Sequence, residues 1–186
     1  MSILKVARMG HPVLRQKCQV INPLTIKGSE IQRLIRDMFE TMAEYSGVGL
    51  AAPQVHKPVR LVIAGGDADE EGQPTYRVLI NPEITVLNDE DRLGMYEGCL
   101  SVPGLRGWVE RPAHIKVKAY NEKAQLQEFE LEGFPAIVMQ HECDHLDGVL
   151  YVDRIEDTTR FAFEDEADRY LDLTGEELED EGTDDD

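Results

Sequence analysis

The chain has 186 residues, 41% of them hydrophobic and 6% aromatic, which is enough to bury one core and sets the expectation of a single domain. Its three cysteines, Cys18, Cys99 and Cys143, are irregularly spaced and give no disulfide framework. No apolar run has the length of a membrane span, and the N-terminal MSILKVARMGHPVLRQ lacks the pattern of a secretory or transit signal, so a reducing cytoplasm is the expected location. The formal net charge of −18 gathers at one end: residues 155–186 hold fifteen acids against two arginines, net −13, which leaves −5 for residues 1–154. A basic patch with interleaved aromatics is absent from the sequence, which argues against direct nucleic-acid binding.

Ser29 to Ala43 places Ile31, Leu34, Ile35, Met38, Phe39 and Met42 at three-and-four spacing, predicting a helix with one buried face and Ser29 as its N-cap. Gly47 and Gly49 end that pattern and open GVGLAAPQV, a helix stop and small-residue segment whose backbone can lie close to a ligand. Short β-type runs follow at 59–64, 77–81 and 84–87, the first two joined by the polar loop GGDADEEGQPT. A hairpin is expected from HIKVKAY (114–120) through the turn NEKAQ to QEFELE (127–132). From Phe134 a helix is expected to run to a stop at Gly148, with Pro135 in its first turn, where the missing N–H costs nothing. A last helix is expected in TTRFAFEDEADRYL, followed by GEELEDEGTDDD, low in apolar residues and self-repelling, hence expected to be solvated and disordered. This order is that of an α+β fold, with small antiparallel sheets packed around a central helix.

That central helix contains QHECDHLDG, which holds two of the five histidines. His141 and His145 stand one turn apart on one face, where two imidazoles can converge on an ion, and Glu142 lies about 100° around the helix, beside that ion. A mononuclear hydrolytic site needs three protein ligands and an open position for water. Cys99, in EGCLSVPG, is the informative third candidate. Alone it reads as a small buried hydrophobe, but between Gly98 and the Ser101–Pro103 stretch it lies in an extended, constrained loop from which a thiolate can reach a metal held by a helix. His11, His56 and His114 stand in turn or strand contexts without partners and are expected to be structural or exposed. Cys143 is about 200° from His141 and is expected to face the core.

Three segments in the same order, GVGLAAPQ (47–54), EGCLSVPG (97–104) and QHECDHLDG (140–148), resemble the signature motifs of the peptide deformylases. The likeness extends through most of residues 1–154, which marks these as the catalytic domain and 155–186 as a C-terminal helix with an acidic tail. The resemblance implies a metal-dependent hydrolase that removes the N-formyl group from newly made polypeptides beginning with formylmethionine, releasing formate. It implies Cys99, His141 and His145 as metal ligands and Glu142 as the acid/base. Gln54 and the backbone N–H of Leu100 correspond to the oxyanion donors, Gly49 to a backbone contact with substrate, and Val48, Ile137 and Val138 to the methionine pocket. It further implies one Fe2+ per chain, replaceable by Zn2+, Ni2+ or Co2+. Transient association with the ribosome is compatible with this reading, but not through the acidic tail, whose sign is wrong for RNA. Position 143 departs from the family, which usually has a larger apolar residue there. Two other readings of HECDH stay open here. A zinc metalloprotease would use Glu164 or Glu166 as third ligand and leave Cys99 without a role, whereas a closed structural metal module would need four protein ligands where three are found.

Overall fold

A computed structural model describes residues 2–68, 71, 72 and 74–171. Among these residues six strands, β1 (Gly49–Ala51), β2 (Leu61–Ala68), β3 (Pro74–Cys99), β4 (Val102–Tyr120), β5 (Leu126–Glu132) and β6 (Phe161–Phe163), accompany three α-helices, α1 (Ser29–Glu44), α2 (Phe134–Leu146) and α3 (Glu164–Tyr170). The strands pair antiparallel in the order β1-β2-β3-β4-β5, with β6 added to β4.

The α+β class and the antiparallel pairing agree with the sequence reading, but the strands join one sheet instead of several small ones. The runs at 77–81 and 84–87 belong to a single 26-residue strand, β3, whose register against β4 shifts between Ile80 and Glu83, between Val86 and Asn88, between Asn88 and Arg92, and between Glu97 and Cys99. Each irregularity bends the strand and interrupts the alternation of side chains, so a continuous strand reads as separate pieces. Asn81, at φ 54°, marks the first bend. Its side chain takes the Ile21 N–H at 2.9 Å and donates to the Ile21 carbonyl at 2.8 Å, tying the N-terminal segment to the sheet.

The hairpin expected at 114–132 is present in the register His114↔Glu132 to Tyr120↔Leu126. Asn121 closes its turn by accepting the N–H groups of Lys123 and Gln125. Helix α1 covers the expected residues, but its N-cap is Gly28, and Ser29 is already helical with no side-chain cap bond. The stretch expected as one helix from Thr158 divides into a 3-10 turn (Thr158–Arg160), β6 and α3, because Phe161–Phe163 finds an edge of β4 to pair with, and tertiary pairing overrides local helix propensity. The acidic end at 172–186 lies outside the described residues.

Alternation along β2 places the two large helices on opposite faces of the sheet. Val62 and Ala64 join Ala136, Met139, Cys143 and Leu146 of α2 in one core, while Leu61 and Ile63 join Ile35, Met38 and Met42 of α1 in another. A third cluster, with Leu14, Val102, Val109, Leu150 and Tyr151, fills the end of β4 near Cys99. Helix α2 therefore lies against the sheet, alongside the β3–β4 hairpin end that carries Cys99.

Candidate metal centre

Nine of the thirteen residues of α2 are buried, among them His141, Glu142 and His145. Polar groups so placed destabilise the fold unless they find partners. His141 Nδ1 lies 2.7 Å from Glu97 Oε2, and an ionised carboxylate there takes the ring N–H, which leaves Nε2 for the side facing Cys99 and His145. His145 Nε2 is 3.3 Å from Cys99 Sγ, and the two imidazole rings stand 5.2 Å apart at their centroids. One ligand atom from each of Cys99, His141 and His145 lies within 4.8 Å of the others, and no other such group of three occurs among the described residues.

Glu97 is itself held. Arg111 donates Nε to Oε1 at 2.5 Å and Nη2 to Oε2 at 3.0 Å, and its Nη1 reaches Asp144 Oδ2 at 2.8 Å. Asp144 also receives Arg154. Burial by itself would raise the Glu97 carboxyl, but the Arg111 and His141 hydrogen bonds outweigh it and hold it down at about 2. His141 is thus oriented by a carboxylate that stays ionised. The sequence reading missed this layer. Glu97 stands only two residues before Cys99 on the same strand, a signal that was available, whereas nothing local to Arg111 marks it.

Gln54 is 1% exposed and its amide is fixed at both ends. Oε1 accepts the Ala51 N–H at 2.8 Å, while Nε2 points to Ser101 Oγ at 3.2 Å and Cys99 Sγ at 3.4 Å. Glu142 Oε2 is buried without a hydrogen-bond partner among the described residues, as is His145 Nδ1. Burial pushes the Glu142 carboxyl up to about 7, with His141 opposing and Glu97 adding to the shift. Gly49 lies directly against that carboxylate: a Cβ at position 49 would stand 2.4 Å from Glu142 Oε1, so only glycine lets β1 approach so closely. One cavity of about 960 Å3 brings together Val48, Gly49, Gln54, Cys99, Leu100, Ile137, Val138, His141 and Glu142. His145, 1% exposed, sits behind this wall.

Residues 3–161 match the family model described as polypeptide deformylase. The chain belongs to the polypeptide deformylase family. A peptide deformylase of Leptospira biflexa is 45% identical over 173 residues, covering 90% of this chain and 96% of that protein. A class I type b peptide deformylase from Acinetobacter baumannii, solved with Met-Ala-Ser bound, superposes with a TM-score of 0.75 at 35% identity, covering 82% of this chain and 98% of that one. The peptide deformylase of Thermotoga maritima gives a TM-score of 0.73 at 39% identity, covering 83% and 99%. As a deformylase the chain is a hydrolase that removes the N-formyl group from nascent polypeptides.

The deformylase assignment does not favour the metalloprotease reading, and the positions of its two candidate glutamates agree. Glu164 pairs with Arg106 and Glu166 lies 4.0 Å from Arg169, so neither belongs to the ligand group. The remaining histidines lie elsewhere: His11 and His56 contact each other edge to face, and His114 meets Glu130. Cys143 packs in the core with Ala136, Met139 and Leu146, as expected from its phase on the helix, and burial pushes its thiol up. One thiol and two imidazoles, with one ring fixed by a carboxylate, form a donor set suited to a divalent ion of borderline softness. No helix among the described residues is long and apolar enough to cross a membrane.

Proposed function

We propose that α2 is the central metal helix of the fold and that Cys99, His141 and His145 hold one divalent ion per chain, ferrous iron in the cytoplasm, which zinc, nickel or cobalt can replace. The observation that carries this reading is the approach of one thiol and two imidazoles to within 4.8 Å, with Cys99 and His141 at the wall of the cavity and His145 behind it. Bound there, the ion supplies Lewis acidity, bringing the pKa of water toward neutrality and polarising the formyl carbonyl.

The chain's own groups divide the remaining work. Glu142 takes the proton of the attacking water and returns it to the departing amine. Its carboxylate supports this role by lying on the cavity wall with Oε2 unpartnered among the described residues. The Gln54 Nε2 amide and the Leu100 N–H donate to the oxyanion as charge develops, and the Ala51 and Ser101 contacts of Gln54 favour such a fixed donor. Among the described residues, strand β1 pairs with β2 on one edge only, so the backbone at Gly49 can pair with an extended substrate on the other. Val48, Ile137 and Val138 receive the methionine side chain. The Met-Ala-Ser bound to the Acinetobacter relative supports a peptide beginning with methionine as occupant of this cavity. All these groups fall within residues 1–154, the proposed catalytic domain. The net −13 of residues 155–186 opposes RNA, so contact with nascent chains at the ribosome does not run through that end and no direct nucleic-acid binding is expected.

Formate release from formyl-Met-Ala-Ser by anaerobically reconstituted protein tests the reading. Turnover by the ferrous form well above that of the zinc form is expected, with decay in air because both iron and the Cys99 thiolate oxidise. No formate from protein carrying one ferrous ion per chain would overturn the site. Equal rates for matched iron and zinc preparations would overturn the iron assignment alone.

A further inference from the structure

Residues 155–171 form an arm that reaches the mouth of the same cavity. β6 pairs with β4 in the register Leu105↔Phe163, Arg106↔Ala162 and Gly107↔Phe161. The arm is anchored by Ile155 over Gly107, where a Cβ would lie 2.4 Å from Ile155 Cδ1, and by the Arg160 guanidinium, 3.5 Å from the centre of the Trp108 ring. Ala167 of α3 is fully buried. These contacts fix the next residue, Glu164, whose Oε1 accepts a hydrogen bond from Arg106 Nη2.

Both members of that pair line the cavity that contains Cys99 and Glu142. Arg106 rests on the backbone one residue before Cys99: a Cβ at Gly98 would be 2.0 Å from Arg106 Nη1. The two side chains are 37% and 43% exposed, and an ion pair so open to solvent adds little stability. Its consequence is therefore positional. A guanidinium carries five donors in a rigid fork, and a fixed carboxylate that takes one of them selects a single orientation from the many an arginine can adopt. Glu164 also lies beyond residue 161, where the family match ends, so this part of the cavity wall comes from outside the matched segment.

We propose that Glu164 is a positioning residue for peptide recognition: by holding Arg106 against Gly98 it aims the remaining guanidinium donors at the cavity mouth, where they bind carbonyl oxygens of the substrate chain downstream of its first residue. The inference rests on the cavity being the deformylation site. The cavity has room for more than one residue, and an arginine held in advance loses less conformational freedom when the peptide binds.

The test compares formyl-Met amide with formyl-Met-Ala-Ser as substrates of the iron-loaded wild type, Glu164→Gln, Arg106→Ala and the double variant, with bound metal measured in each. Glu164→Gln is expected to raise KM for the tripeptide about five-fold, the scale of one hydrogen bond, with metal content kept. KM for formyl-Met amide should rise by under about two-fold. In the Arg106→Ala background the Glu164 change should add nothing, because Glu164 acts through Arg106. Equal rises for the two substrates, no rise at all, or full additivity in the double variant would overturn the proposal while leaving the site intact. A wild type inactive on both substrates would overturn the site reading and this inference with it.

Discussion

Helices α1 and α2, of 16 and 13 residues, lie on opposite faces of one sheet and bury themselves in different ways. α1 turns Ile35, Met38 and Met42 to the sheet and leaves Glu30, Arg33, Arg36 and Glu44 exposed. α2 is buried nearly all round, with two imidazoles and a carboxylate inside. In α1, burial follows the hydrophobic periodicity except at Thr41, whose hydroxyl accepts the Leu4 N–H and donates to the Asp37 carbonyl, so its residues are explained by packing and local hydrogen bonds. In α2 they do not: β3 meets the two imidazoles with Glu97 and Cys99, β4 holds Glu97 with Arg111, and Glu142 Oε2 and His145 Nδ1 are left without a partner among the described residues. Polar residues buried against their own hydropathy support the proposal that α2 is the working helix, whereas the burial of α1 fits a scaffold.

Substitutions can break or sharpen that contrast. The largest effect is expected from Glu142→Gln, which keeps the shape and removes the proton carrier: turnover should fall by about three powers of ten with bound metal unchanged. Near-normal formate release from metal-loaded Glu142→Gln would remove Glu142 from the chemistry and weaken the case for α2 as the working helix. Gln54→Ala, which leaves α2 untouched, should lower kcat by about two to three powers of ten, the scale of one oxyanion donor. A rise in KM at constant kcat would make Gln54 a binding residue instead.

Glu97→Gln tests whether the strands support α2 as described. Without the carboxylate the orientation of His141 is less firmly held, and metal affinity measured by chelator competition should weaken about ten- to hundred-fold. Unaltered affinity would mean that packing alone orients the ring. The smallest effect on turnover belongs to α1. Met38→Ala, at a fully buried position, should lower stability by about 2–5 kcal/mol in thermal or denaturant unfolding, while kcat of the folded fraction stays within about two-fold. A fall in kcat comparable to that of the α2 variants would show that the two helices are not separable in function.

Much of this arrangement was legible before folding because it depends on short-range geometry. The three-and-four spacing at 31–42, the turn between 114–120 and 127–132, and the one-turn interval from His141 to His145 each involve residues close in sequence, where helical and strand periods dictate which side chains share a face. The outward phase of Cys143 from the histidines follows from the same period, and its burial in the core bears this out. The three motifs named the family for a related reason: each is a local pattern that survives being read without coordinates.

The remainder needed contacts between residues far apart in the chain. β3 looked like fragments because bulges break its alternation, and only pairing with β4 makes it one strand ending at Cys99. Arg111 is one charged residue among many until folding buries it between Glu97 and Asp144, 14 and 33 positions away. Glu164 looked like helix surface or a rival metal ligand, and the pairing of β6 with β4 instead placed it on Arg106, 58 positions away. By itself the sequence determined the helical phases, the hairpin and the identity of the chemical groups, since these rest on local backbone periods. Only the tertiary structure decided which carboxylate meets which imidazole or guanidinium, because that depends on long-range strand register, and a register shift of one residue turns a side chain to the other face.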